Sequence, residues 1–231
     1  LNSLTTIGKY GFANNDISEN IHLPTNLQTI GIHAFSKNVI SEIIYNNELS
    51  QISYGSFQEN RLNNINLNST KISTISQYAF YDNSYSKVMY LPTNSNFSKI
   101  ERSAFENCSI SNEQIINANV TEINKYAFLN NKISSLNLTN ADSLQILEEG
   151  IFKNNDMSGT TLKIPKNIVT IDNDSFKNSG ISQLNFENFK PIQNVFLEPT
   201  LKRINRSAFQ NNNITGILDI HSYNLEIIDT L

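Results

Sequence analysis

Apolar residues along this chain recur on a beat. Phenylalanine marks it at Phe12, Phe35, Phe57, Phe80, Phe105, Phe128, Phe152, Phe176 and Phe209, with gaps of 23, 22, 23, 25, 23, 24, 24 and 33 residues. Ahead of each ring lies an apolar step of the form Leu/Ile-x-x-Ile, as in Leu27 and Ile30, Leu49 and Ile52, Ile72 and Ile75, or Ile168 and Ile171. A small residue stands directly before most rings, as in Ala34-Phe35, Ser56-Phe57, Ala79-Phe80, Ala104-Phe105, Ala127-Phe128 and Ala208-Phe209. After the ring the pattern changes to a run in which every second residue is apolar, such as Ile43-x-Tyr45, Ile65-x-Leu67, Leu136-x-Leu138 and Leu184-x-Phe186. Alternation of this kind predicts strands. The small residue before the ring predicts a short helical or 3₁₀ turn that packs close to its neighbour.

A period of this length is the signature of a solenoid. The alternating runs recur in register, so they are expected to stack as one parallel sheet with strands roughly 4.8 Å apart, about 40 Å for the whole array. Three residues after the ring comes Asn15, Asn38, Asn60, Asn83, Asn131, Asn155 or Asn212. A buried amide in a tight turn can satisfy backbone groups of its own coil and the next, so this column is expected to form a ladder. Cys108 and Ser179 fill the same slot. Cys108 is the single cysteine, so it is expected as a small buried residue and forms no internal disulfide.

Two stretches depart from the beat. Residues 187–200 form an insertion that carries Phe189, Ile192, Val195, Phe196 and Leu197, and Pro191 and Pro199 limit its freedom. Its rings either fold back over a neighbouring coil or form an exposed contact patch. Around Ser109 to Ile116 the register is ambiguous, and either Ile115 or Ile116 points inward. The rest of the 231 residues reads as a single array of about nine repeats, 22–25 residues each. Leu1 and Leu231 both fall in mid-repeat, which predicts a fragment of a longer protein.

The repeat Leu23-Pro24-Thr25-Asn26-Leu27-Gln28-Thr29-Ile30-Gly31-Ile32-His33-Ala34-Phe35 resembles the BspA-like class of leucine-rich repeats, and the resemblance extends over the whole chain. It implies an α/β, right-handed leucine-rich-repeat solenoid with a parallel β-sheet on one face and short helical turns and extended segments on the other. It also implies part of an extracellular, cell-surface protein of a bacterium or protist, of a kind often linked to adhesion. The family offers no shared catalytic residues to carry over.

Composition narrows the function further. The net charge is −4 without a run of like charges, which argues against nucleic acid as a partner. No stretch approaches the roughly 18 apolar residues of a membrane span, so this segment is not expected to insert directly into a membrane. His22, His33 and His221 lie far apart, and no serine or cysteine has a matching base, so no catalytic constellation is expected. Asp172-Asn173-Asp174 lacks the glycine and closing glutamate of a calcium loop and reads as a polar turn. Glu148-Glu149 reads as a solvated pair. Neither a metal nor a cofactor is expected.

What remains is the outward side of the alternating strands, mostly amide and hydroxyl. The candidate binding residues there are Ile44, Asn66, Val88, Tyr90, Asn137 and Asn185, joined by Phe189 and Phe196 of the insertion. The expected partner is a protein or glycan ligand recognised by a monomeric array. The competing reading is a structural spacer that holds another domain of a larger surface protein.

Overall fold

Each coil of the chain is built from three pieces, and stacking of like pieces on like defines the architecture. The structure, a computed structural model, describes residues 3–186, 200–216 and 225–228. The Leu/Ile-x-x-Ile step supplies a two-residue strand ending on the buried isoleucine. These strands, Thr6–Ile7, Thr29–Ile30, Gln51–Ile52, Thr74–Ile75, Lys99–Ile100 and Glu122–Ile123, form a six-stranded parallel ladder. Ile146–Leu147, Thr170–Ile171, Arg203–Ile204 and Ile227–Ile228 continue it as a separate ladder of four. Every paired residue meets its equivalent in the next coil, Ile7 opposite Ile30 and Ile30 opposite Ile52.

The longest sheet is therefore made from the step rather than from the alternating runs. Those runs do form parallel strands, but among the described residues in four separate pairs. These are Ile21–His22 with Ile43–Ile44, Asn64–Asn66 with Val88–Tyr90, Gln114–Ile115 with Leu136–Asn137, and Thr161–Ile164 with Gln183–Phe186. The expected single sheet on this side is corrected accordingly. One cause of the interruption is visible at Asn112. Its side-chain oxygen accepts from the Met89 amide at 3.0 Å and its side-chain nitrogen donates to the Met89 carbonyl at 3.0 Å, so an amide side chain replaces the next strand. The ambiguity in this coil is also resolved. Ile116 is buried and Ile115 is exposed, while Gln114 takes an inward position.

Between the two strand sides lies the arc that carries the phenylalanine. The short helical or 3₁₀ turn expected there is not found, and no described residue is helical. The reason is the backbone. Two residues per arc, placed two before and two after the ring, take positive φ: Tyr10 and Asn14, His33 and Lys37, Tyr78 and Asp82, Ser103 and Asn107, Tyr126 and Asn130. Left-handed residues end any helical run. Stacking makes the helix unnecessary, because alternate amides bond to the next coil. His33, Phe35 and Lys37 donate to the carbonyls of Tyr54, Ser56 and Gln58 at 2.9, 2.8 and 3.0 Å. The intervening Ala34 and Ser36 close tight turns onto Gly31 and His33.

The core fills this frame. From Phe35 onward the rings stack nearly parallel, with centroids 5.2 to 5.6 Å apart through Phe209. Such offset stacking suits the ring quadrupoles at the spacing the coils impose. The small residues Ala34, Ser56, Ala79, Ala104 and Ala127 are fully buried, as close packing of the arcs requires. The asparagine ladder forms as the column predicts. Asn131 donates to the carbonyls of Phe105 at 2.8 Å and Phe128 at 3.1 Å, and accepts from the Ile110 amide at 3.0 Å. Cys108 and Ser179 do the same with one donor, to Phe80 and Phe152 at 3.0 and 2.7 Å. Cys108 is buried, and burial pushes its thiol up to about 12.

Candidate functional site

The outward positions of the alternating strands are accessible, and none of the six candidates within the described residues is buried. Tyr90 is 51% exposed and Ile44 43%, while Val88 and Asn137 are half-buried. Strand pairing brings three of them together: Asn66 lies opposite Tyr90, and Val88 is two residues before it on the same side. The other three sit on separate pairs. Ile44 is beside His22, Asn137 beside the exposed Ile115, and Asn185 beside Lys163. Phe189 and Phe196 lie outside the described residues, as does most of the insertion.

Much of the polar character of this face is spent on itself. Glu42 accepts from Asn20 at 2.9 Å and from Asn64 at 3.4 Å, which links three coils, and Thr161 donates to Gln183 at 2.8 Å. Charges elsewhere are paired coil to coil, as Lys71 with Glu48 at 2.7 Å, Lys99 with Glu122 at 2.8 Å and Lys153 with Asp174 at 2.7 Å. The exposed one, Lys71 with Glu48, adds little stability. These pairs neutralise the surface locally.

The arc presents a second surface, which the sequence reading passed over. Its first left-handed column runs Tyr10, His33, Gly55, Tyr78, Ser103, Tyr126, Gly150. Ring contacts run along it: Tyr10 stacks on His33 at 5.3 Å, His33 meets Tyr54 at 5.1 Å, Tyr54 meets Tyr78 at 5.5 Å, and Tyr78 meets Tyr81 at 5.4 Å. Glycine is needed at two places for the rings to lie down. A Cβ on Gly55 would come within 2.6 Å of the His33 ring, and one on Gly150 within 2.6 Å of the Tyr126 ring. The recurrence of aromatic residues two positions before the phenylalanine was the available signal.

Tyr126 is fixed at both ends. Its hydroxyl donates to Glu149, whose other oxygen takes Lys125 at 3.0 Å, and the Arg102 guanidinium lies 5.3 Å from the ring centre. The hydrogen bond to Glu149, with burial adding to it, pushes the Tyr126 hydroxyl up to about 12. The same bond, with Lys125, holds the Glu149 carboxyl below its usual range. Glu148 moves the other way because of burial. The glutamate pair is thus split, one partner bound into the arc and the other facing a different environment. Asp172 accepts from Asn205 at 2.9 Å, and Asp174 pairs with Lys153. Among the described residues no group of three or more His, Cys, Asp or Glu is placed to hold a metal ion. No helix among them is long and apolar enough to cross a membrane.

Stacked in-register coils of this make-up define a leucine-rich-repeat solenoid. The family pattern of the BspA type leucine rich repeat region matches in six copies over residues 5–115, 84–190 and 179–230, and the chain belongs to that family. Among solved structures it is similar to a leucine rich cell surface protein from Faecalibacterium prausnitzii A2-165, at 14% identity and a TM-score of 0.36. That alignment covers 75% of this chain, which spans only 60% of the other. A leucine-rich repeat protein from Eubacterium ventriosum ATCC 27560 is similar at 14% identity and a TM-score of 0.42, over 93% of this chain and 82% of that one. No curated protein matches the chain.

Proposed function

We propose that the chain is a recognition module of a cell-surface protein, binding a protein or glycan by non-covalent contacts along the face of the alternating strands. The observation that carries this reading is the patch of Tyr90, Asn66 and Val88, an exposed ring flanked by amide and aliphatic side chains on a rigid stack. An amphipathic ring held on ordered backbone is the kind of anchor that concentrates binding energy. Membership of the BspA type supports display at a surface. Catalysis has no support from the placement of the histidines: His22 and His33 lie on different sides of the coil.

The test is a pull-down against immobilised extracellular-matrix proteins together with a glycan array. Native protein is expected to retain at least one ligand, and Tyr90→Ser to weaken that binding at least tenfold while leaving the melting temperature unchanged. Retention of nothing, or binding indifferent to Tyr90→Ser and Ile44→Ser, would sink the reading. The spacer alternative draws on one observation. The Asn20–Glu42–Asn64 link leaves those outward side chains already partnered, as a face without a ligand permits. A spacer should retain nothing on either surface.

A further inference from the structure

The aromatic arc has one missing rung. At Gly55 and Gly150 the space of the absent side chain is taken by the rings of His33 and Tyr126. At Ser103, between Tyr78 of the preceding coil and Tyr126 of the next, a cavity of about 470 Å³ opens instead. Successive core rings here stand 5.4 Å apart, Phe80 to Phe105 and Phe105 to Phe128, so column positions two coils apart leave room for one more ring. Tyr78 and Tyr81 meet edge to face at 5.4 Å and 85°, which makes a corner of two aromatic walls. Arg102, stacked on Tyr126, and Glu106 complete the rim.

The chemistry of this rim selects the occupant. Neither Arg102 nor Glu106 takes part in a salt bridge among the described residues, so a donor fork and an acceptor are both available. Glu106 and Asp82 beside Tyr81 repel an anion, and Arg102 repels a cation. A neutral ligand with one apolar face and a rim of hydroxyls fits both the walls and the edge. The volume lies within the range of small-molecule sites. We propose that the gap at Ser103 is a saccharide subsite. It takes one neutral pyranose unit, its apolar face against Tyr78 and Tyr81 and its hydroxyls held by Arg102 and Glu106, with the buried Ser103 as the floor. The rings of Tyr54, His33 and Tyr10 extend the platform along the stack, each coil advancing roughly 5 Å, about the length of one sugar unit. This site is separate from the strand face and does not depend on it.

The decisive variant is Ser103→Tyr, which supplies the missing rung. Ser103 has φ of 54°, while the tyrosines of the same column, Tyr78 and Tyr126, stand at 57° and 62°, so the backbone accepts the ring. Native protein is titrated calorimetrically with neutral tetrasaccharides of glucose, N-acetylglucosamine, galactose and mannose, and with sialylated, uronate and sulfated oligosaccharides. At least one neutral tetrasaccharide is expected to bind. Ser103→Tyr and Arg102→Ala are each expected to weaken it at least tenfold, and Lys132→Ala, an exposed side chain outside both binding sets, to leave it unchanged. Arg102 is exposed, so that variant decides the matter if Ser103→Tyr fails to fold. The proposal is overturned if no neutral tetrasaccharide binds, if only acidic ones do, or if binding survives Arg102→Ala or a folded Ser103→Tyr.

Discussion

Asn131 shows how much one side chain does in this fold. It closes two carbonyls and one amide, all buried, across two successive coils. Asn131→Ala should cost about 2 to 4 kcal/mol, because several buried groups lose partners at once. Asn131→Ser should cost less, since Ser179 already fills the slot with one bond to Phe152. Urea melts of the two variants order them; equal losses would mean the ladder is not what stabilises the arc. Tyr126 and Glu149 make a pH-dependent pair. The Glu149 carboxyl is held low by the Tyr126 hydroxyl, so its contribution is present above the unfolded value of about 4.3 and fades as pH falls through its lower folded value. The Tyr126 hydroxyl is held up, so its contribution is complete below about 10 and is lost as pH rises through about 12. Tyr126→Phe should flatten both limbs of a stability-against-pH curve. Unchanged limbs would dismiss the pair as a stabilising contact.

At the scale of the element, the arc is a repeated solution to a packing constraint. Each ring needs a close neighbour above and below, and the two left-handed residues around it turn the backbone so that alternate amides face the next coil. The second left-handed column explains part of the asparagine content. Asn130, Asn154, Asn178 and Asn211 each donate to the asparagine of the coil before, Asn107 being the first acceptor, at 2.6 to 2.9 Å. Asparagine tolerates the left-handed region better than most residues. Its abundance thus has a backbone reason. Phe128 lies in mid-stack, fully buried between Phe105 and Phe152 at 5.4 and 5.2 Å. Phe128→Ala should cost about 3 to 5 kcal/mol in a denaturant melt. A loss below about 1 kcal/mol would be incompatible with a rung of the core.

At the scale of the molecule, a solenoid is stabilised by nearest-neighbour interfaces, so its weakest interface is where it opens. The step ladder is interrupted between Glu122–Ile123 and Ile146–Leu147, although the arcs of the same coils stay bonded and Phe128 stacks on Phe152. One coil on, Val169 and Thr170 both donate to the Gln145 carbonyl at 2.8 and 3.3 Å. The amides of Gln145 and Ile146 should therefore exchange with deuterium faster than those of Val169 and Thr170, which stand at the same point of the repeat. Equal protection of the two sites would mean the ladder is continuous in solution.

The phenylalanine beat, the Leu/Ile-x-x-Ile step and the asparagine slot determined by themselves that the chain is a stack of like coils with Phe57, Phe80, Phe105, Phe128, Phe152 and Phe176 inside. They could do so because each is a local apolar or amide requirement repeated at fixed spacing. The alternating runs likewise determined which of Ile44, Asn66, Val88, Tyr90, Asn137 and Asn185 face outward. Which pieces join into a long ladder was decided only by tertiary structure. A two-residue strand such as Thr29–Ile30 carries no alternation to read, and the Leu-x-x-Ile spacing looks as much like a turn of helix as a strand. Tertiary structure also decided the conformation of the arc, where cross-coil hydrogen bonds stabilise left-handed residues that no local preference would place at Tyr78 or Tyr126. The gap at Ser103 belongs to the same class. It exists only because two tyrosines some fifty residues apart in sequence are brought to either side of one serine.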